Sequence, residues 1–408
     1  MRIGIGLNLL APDHGGVTNY ALTLLRHWPE LAPEHPMVLF SFAHNESLLA
    51  TLPAVSCQHE IRLQTQEEVL QHLDEFDVYF CPFGTLWPRP VRKPSVLTFH
   101  DMQERFYPEF FTTKEHAERI YHYDWSLRMA DAVIAVSEFT RDMAVEIGGA
   151  ARAKVHVVHH VPDALPTPAA PAAWPGGDAG RPFVFYPANF WKHKNHLRLL
   201  AAFAQARTDA PELRLVCTGS LLGREAEWHE AVRGHGLQDH VLHLGKVTRA
   251  EISWLFQHAK ALIFASLFEG FGIPLLEAMQ SGCPIACGHN TSQPDVAAVA
   301  ALYFDASSTE SIAAAITRLH RDGALRSRLA AAGRERLKVF TTQRLVQGHL
   351  VAFQSACRRH TRWRTWFNEH VQLPRSRHTR TTLSPRELRI AARLLQRQAR
   401  LPAGCEHV

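Results

Sequence analysis

The chain has 408 residues, 46% hydrophobic and 20% charged, which excludes a disordered chain and favours two buried cores over one. Its longest uncharged apolar runs, such as 261–268, are strand-sized and fall short of the ~18–20 residues that cross a bilayer. The net charge of +5 is uneven: residues 358–408 carry 12 arginines, no lysine and three acids, or +9, while the remainder carries 32 basic and 36 acidic residues, or −4.

Residues 2–10 are apolar, but Asp13-His14-Gly15-Gly16 follows with no signal-peptide h-region or cleavage site, so they read as a first strand. Further apolar runs at 37–42, 78–81, 95–99, 132–136 and 155–159 predict buried strands. Three-to-four spacing at 17–28, 67–73 and 115–129 predicts helices between them. The Pro-, Ala- and Gly-rich stretch 162–182 has the composition of a linker. The alternation then restarts, with strands expected at 183–186, 213–218, 241–244, 261–265, 284–286 and 302–304. Helices are expected at 194–206, 225–234, 249–258, 274–281, 308–322 and 324–338. The expected fold class is α/β, with two Rossmann-like, doubly wound parallel-sheet domains facing across a cleft, ligands binding at the C-terminal strand edges. The domains are placed at 1–161 and 183–357, joined by the linker 162–182 and followed by a basic tail at 358–408.

Seven scattered cysteines, none in a CxxC pair, predict reduced thiols and a cytoplasmic chain, with Cys283 and Cys287 as a buried thiol pair. Clusters among the 26 histidines, His156, His159 and His160 or His193 and His196, invite a metal reading. No second ligand set with convincing spacing accompanies them, so polar loop and strand-end histidines are expected, with no metal and no cofactor.

The sharpest signal is Phe268-Glu269-Gly270-Phe271-Gly272-Ile273-Pro274-Leu275-Leu276-Glu277-Ala278-Met279. A strand runs into a glycine loop, and Pro274 suits the first helical position. Glycines admit close approach by a ligand, and amides at a helix start make an anion site. Glu269 and Glu277 flank that site, which suits a ligand with both a diphosphate and sugar hydroxyls. The plainer alternative is that Glu277 complements the helix dipole and Glu269 is a solvated loop acid.

Glu269-x7-Glu277 resembles the E-x7-E signature of the retaining, nucleotide-sugar-dependent GT-B glycosyltransferases of family 4 (glycosyl transferases group 1). The similarity runs from Met1 to about Cys357. Gly15-Gly16 is similar to the family's glycine-rich loop, Thr98-Phe99-His100-Asp101 to its T-x-H-D, and Ala135-Val136-Ser137-Glu138-Phe139-Thr140 to its V-S-x-x-[ST] segment. Leu244-Gly245-Lys246-Val247 is similar to its L-G-x-V turn near the base. Where the family has an Arg-x4-Lys pair gripping the diphosphate, this chain has Asn189 and Lys194. Asparagine cannot reproduce a bidentate guanidinium, and Lys192 or His193 is left to supply charge. No Asp-x-Asp occurs, so a metal-free donor site is expected.

The resemblance implies that Glu269, His100 and Lys194 are catalytic. It places the donor against Gly16, Asn189, Lys194, Val247, Gly270, Phe271, Gly272, Ile273, Leu275 and Glu277. Lys194 and the amides of 272–275 would stabilise the leaving diphosphate, Glu269 would hold sugar hydroxyls, Glu277 the ribose, and His100, backed by Asp101, the reacting centre. The implied activity is retaining transfer of a hexose from a GDP- or UDP-sugar to a glycan or lipid-linked glycan in cell-surface polysaccharide synthesis. A sugar-nucleotide epimerase or hydrolase, or a non-catalytic binding protein, remains open.

In the tail, residues 358–367 interleave arginines with Trp363, Trp366 and Phe367, and Ser384-Pro385-Arg386-Glu387 reads as a capping box. Arg386, Arg389, Arg393, Arg397 and Arg400 share one helical face, and Leu388, Ala391, Ala392, Leu395 and Ala399 the opposite one. Such a helix either docks by its Leu/Ala face or attaches peripherally to anionic lipid on the inner face of the membrane. Nucleic-acid binding is the least favoured reading.

Overall fold

The computed structural model describes residues 1–12, 15–53, 58–89, 91–174, 180–361, 366, 384–398 and 404–408. Contacts group the chain into two units, Met1–Val161 with Phe340–Leu394, and Pro162–Val339 with Leu395–Val408.

The first unit alternates β1 (Ile3–Gly6), α1 (Gly15–Leu31), β2 (Met37–Ser41), α2 (Glu46–Leu49), β3 (Gln58–Arg62), β4 (Val78–Cys81), β5 (Ser95–Phe99), α3 (Thr113–Met129), β6 (Ala132–Ala135), α4 (Glu138–Glu146) and β7 (Val155–Val157). The strands form one parallel sheet in the order β3-β2-β1-β4-β5-β6-β7. β1, β2, β4, β5 and β6 are buried along their whole length, which is why they read as continuous apolar runs. The helix expected at 67–73 is instead two short 3-10 turns, Gln66–Gln71 and Leu73–Glu75. Thr65 and Glu68 cap the first turn, but too few residues follow to sustain an α-helix.

The second unit runs β8 (Phe183–Pro187), α5 (His196–Ala206), β9 (Arg214–Thr218), α6 (Glu225–Gly234), β10 (Val241–His243), α7 (Arg249–His258), β11 (Ala261–Phe264), α8 (Ile273–Gln280), β12 (Ile285–Gly288), α9 (Gln293–Ala297), β13 (Ala301–Phe304), α10 (Thr309–Arg321) and α11 (Gly323–Leu337). Its parallel sheet, β10-β9-β8-β11-β12-β13-β14, repeats the strand order of the first, so each unit is Rossmann-like and doubly wound. The edge strand β14 (Glu406–His407) comes from the extreme C-terminus, where Glu406 pairs with Arg318 at 2.7 Å and Arg328 at 2.9 Å.

Two boundaries differ from the sequence expectation. The described residues 162–174 group with the second unit rather than standing free: Ala172 N donates to Glu251 at 2.9 Å, and Trp174 packs 5.0 Å from Trp254. Residues 340–357, expected in the second domain, form most of α12 (Thr342–Arg359), which completes the first unit. Its apolar stripe must be covered, and Phe353 meets Trp28 at 5.7 Å and Phe80 at 5.3 Å in the first core.

The tail forms α13 (Pro385–Gln398) with the expected Ser384/Glu387 capping box. Its buried positions are Glu387, Ala391 and Leu394, whereas Leu388 and Ala392 are exposed. The face that docks is therefore rotated from the Leu/Ala face, because Glu387 is drawn to Arg105 at 2.7 Å. The basic-aromatic positions 362–365 and 367, with Ala399 and Arg400, lie outside the described residues. Among the described residues no helix is long and apolar enough to cross a membrane.

Candidate functional site

The site residues of the second unit gather at the C-terminal ends of β8 and β11. After β8 the chain makes a 3-10 turn over Lys192–Lys194, and Asn195 follows in the left-handed region at φ 62° before α5 begins. Such a φ is costly for a side-chain-bearing residue. It is stabilised here because Asn195 Nδ2 donates to the carbonyls of Ala265 at 3.1 Å and Ala306 at 2.8 Å. The Tyr186 hydroxyl donates to the Lys194 carbonyl at 2.7 Å, and Leu267 N to the His193 carbonyl at 2.7 Å. Lys194 is thus stitched to the loop that carries Glu269.

That loop is held from below by the polar run after β12. Gln293 Nε2 donates to the Ser266 carbonyl at 2.9 Å, and Glu269 N to Thr291 Oγ1 at 3.2 Å. Ser292 Oγ lies 2.9 and 3.0 Å from the carbonyls of Glu269 and Phe271. With its carbonyls tied on that side, the segment Glu269-Gly270-Phe271-Gly272 is fixed in shape. Gly272, at φ 103°, is the N-cap of α8, a conformation that favours glycine. Pro274 has no amide hydrogen and Leu275 N donates to the Gly272 carbonyl at 3.0 Å. Of the amides expected from 272–275, this turn therefore leaves those of Gly272 and Ile273 to offer.

Lys194 Nζ lies 2.6 Å from Glu269 Oε1, with the two side chains only 18% and 12% exposed. An ammonium and a carboxylate thus meet as a preformed, largely buried pair. Glu277 is buried in α8 and receives the Arg249 guanidinium from the start of α7. Burial pushes the Glu277 carboxyl up and Arg249 opposes that shift. Nothing in the local sequence marks Arg249 as a partner, although it opens the helix just after Val247, which is half-buried on the loop following β10.

Asn189 takes no part in this cluster. Its Oδ1 accepts from Ser220 N at 2.8 Å, tying the loops after β8 and β9 together. The fit is close: a Cβ on Gly219, whose φ is +117°, would stand 2.6 Å from the Ala188 carbonyl oxygen. His196, from the metal-suggestive pair, is buried against the Ala188 carbonyl at 3.2 Å, and desolvation pushes its pKa down to about 3. Cys283 and Cys287 are both buried and free. Among the described residues no group of three or more His, Cys, Asp or Glu could hold a metal.

The remaining expected residues lie in the first unit. Gly16 sits in the first turn of α1, which begins at Gly15, rather than in a loop. His100 follows β5, with Nε2 at 2.7 Å from the Pro82 carbonyl. A carbonyl only accepts, so Nε2 carries the hydrogen and Nδ1 keeps its lone pair. Burial lowers the His100 pKa, and the ring stacks 5.7 Å from His160. His100 is therefore a neutral, fixed imidazole.

The family described as Glycosyl transferases group 1 matches residues 175–336, and the one described as Glycosyltransferase Family 4 matches residues 14–164. The chain is 23% identical over 363 residues to the O-antigen chain mannosyltransferase B of Escherichia coli, covering 80% of this chain and 92% of that protein. It is 24% identical over 232 residues to the O-antigen chain mannosyltransferase RfbU of Salmonella typhimurium, covering 57% and 62%. The fold is similar to that of Anabaena HepE in complex with UDP and glucose, with TM-score 0.70, 19% identity, and 87% and 100% of the two chains covered. It also resembles sucrose-phosphate synthase from Thermosynechococcus elongatus, with TM-score 0.68, 18% identity, and 86% and 98% covered.

Proposed function

The chain belongs to the GT-B glycosyltransferases of group 1 and family 4, and from that premise we propose that it transfers a hexose, with retention of configuration, from a GDP- or UDP-sugar to a glycan or lipid-linked glycan. The observation that carries this reading is the Lys194–Glu269 pair beside the Gly272 turn. Relatives named as O-antigen chain mannosyltransferases support cell-surface polysaccharide synthesis as the setting.

When the anomeric C1–O bond breaks, negative charge grows on the departing diphosphate and positive charge on C1. Lys194 Nζ, exchanging Glu269 for phosphate oxygens, stabilises the first together with the Gly272 and Ile273 amides, which the turn already fixes as donors. Once diphosphate oxygens take the ammonium, the Glu269 carboxylate is released to accept from sugar hydroxyls beside C1. Glu277, oriented by Arg249, accepts from the ribose hydroxyls. In the retaining route the acceptor hydroxyl attacks C1 on the face the diphosphate leaves, and its proton passes to the leaving phosphate oxygen. His100 positions sugar or acceptor through the Nδ1 lone pair. The charge on the leaving group is met by one lysine and backbone amides, so the reaction is proposed to need no metal.

The test is nucleotide release from GDP- and UDP-hexoses with and without glycan acceptors, in the presence of chelator. Acceptor-dependent release that falls at least a hundredfold in both Glu269→Ala and Lys194→Ala is the expected result. Release without acceptor would favour a hydrolase or epimerase, and undiminished turnover in both variants would remove the site assignment.

A further inference from the structure

Of the histidines clustered at 156–160, His160 lies against His100. Its ring is buried and nearly parallel to the His100 ring, with centroids 5.7 Å apart and 11° between the planes. Tyr20 stands edge-on to both, at 5.3 Å and 79° to His100 and at 4.8 Å and 85° to His160. The Tyr20 hydroxyl is itself fixed, 2.6 Å from Thr98 Oγ1 and 2.6 Å from His349 Nε2. The three rings therefore form one block inside the first unit. The backbone that carries His160 has little room to move. Val158 N donates to the Ala135 carbonyl at 2.9 Å. α12 passes so near that a Cβ on Gly348 would stand 2.7 Å from a Val158 methyl carbon. His159 packs 5.5 Å from Phe340. His160 is thus set by the fold before any ligand arrives.

An imidazole turns about its Cβ–Cγ bond, and a half-turn swaps ring nitrogen for ring carbon. The His100 ring makes its bond to the Pro82 carbonyl through Nε2 at 2.7 Å, which fixes a point but not a plane. The parallel His160 face supplies the plane. It also keeps water off one side of the ring, so burial opposes a second proton there. Among the described residues the titratable groups facing this pair are Tyr20, Asp101, His159 and His349. Burial keeps the Tyr20 hydroxyl protonated. Asp101 favours a proton on His100, whereas His159, His349 and His100 itself disfavour one on His160. Two stacked imidazoles do not both take a charge, so the block keeps the His100 Nδ1 lone pair available.

We propose that His160 is a positioning residue, whose ring holds the plane and the tautomer of His100 so that Nδ1 meets the sugar or acceptor as a lone pair. The role at the reacting centre rests on the glycosyltransferase reading above; the hold on His100 does not.

His160→Ala, His160→Leu and His160→Phe are made in the full chain. Leucine refills the volume without a plane, and phenylalanine restores the plane without a nitrogen. In the donor-free protein, nitrogen NMR is expected to show His100 as one tautomer, hydrogen on Nε2, in the native chain and in His160→Phe. In the Leu and Ala variants it becomes a mixture, with the His100 pKa raised toward ~6.5. In the acceptor-dependent assay the Leu variant loses about tenfold or more in kcat with donor KM unchanged. Its acid limb of kcat/KM moves to higher pH, because neutral His100 is lost sooner on acidification. His160→Phe recovers most of both, and the Leu variant reports even if His160→Ala does not fold. The proposal is overturned if the Leu and Phe variants behave alike, as packing alone would have it, or if His100 keeps one tautomer and an unshifted pKa in all three. A mixed His100 tautomer in His160→Leu, with no acceptor-dependent turnover in the native chain, would sink the glycosyltransferase reading and leave the hold on His100 standing.

Discussion

Tyr20 and His349 are 329 positions apart in sequence, and the Tyr20 hydroxyl lies 2.6 Å from His349 Nε2 inside the first unit. His349 Nδ1 is 2.7 Å from the Leu345 carbonyl and must carry the ring hydrogen, so Nε2 accepts from Tyr20. Tyr20 in turn accepts from Thr98 Oγ1 at 2.6 Å. This relay ties α12 and α1 to the end of β5, two residues before His100, and both Tyr20 and His349 are buried.

His349→Leu removes the acceptor of the buried Tyr20 hydroxyl, leaving it only Thr98, and is expected to cost about 1–3 kcal/mol of stability. The pH dependence separates this from packing loss. Desolvation lowers the His349 pKa to about 4, against ~6.5 in the unfolded chain. The unfolded state therefore binds more protons between those values, and stability, complete above pH ~6.5, falls as pH drops toward 4. Denaturant titrations across that window should show a shallower slope in the variant. An unchanged slope would mean that His349 is not held neutral by the fold.

Lys194 and Glu269 should behave as one unit in the donor-free protein. Either single neutralisation leaves a largely buried charge without its counterion, a loss of up to about 3–5 kcal/mol. The Lys194→Met/Glu269→Gln double variant should recover most of it. Urea denaturation of the four proteins gives the cycle, and additive single effects would show that the pair is not coupled.

The alternation of both sheets is legible in the sequence because parallel strands covered on two faces are near-continuous apolar runs. The Glu269 to Glu277 loop is legible because glycine and proline punctuate it. β3, reading Gln-His-Glu-Ile-Arg, and the two-residue β14 are edge strands with no apolar run to detect. The stripe of α12 has helical spacing, but nothing local says that a helix following the second unit returns to the first. Arg249 looks like any solvated helix-start residue until the fold brings Glu277, 28 positions away, to meet it.

Removing Arg249 should change the pH dependence of donor binding more than its strength at neutral pH. Burial raises the Glu277 carboxyl pKa and the guanidinium restrains that rise. In Arg249→Gln the pKa moves further up, so the carboxylate proposed to accept from ribose protonates at a higher pH. Nucleotide affinity measured by calorimetry should then decline from a higher pH in the variant as the solution is acidified. Identical acid limbs would show that Glu277 does not titrate against Arg249.

The tail helix should stabilise the first unit. Arg105 is buried, donating to Asp124 at 2.6 Å and to Glu387 at 2.7 Å, so Glu387→Ala removes one of the carboxylates that offset its desolvation. Breaking a buried pair costs about 3–5 kcal/mol, and the thermal midpoint should drop by several degrees, with amide exchange across 385–394 rising towards that of free chain. Arg386, Leu388 and Arg389 on the same helix are exposed, so anionic vesicles have a face to bind while Glu387 stays docked. Deleting 384–408 should then lower both the midpoint and any salt-sensitive vesicle binding. A tail serving the membrane alone would lose only the second, and an unchanged midpoint would remove Glu387 from the stability of this fold.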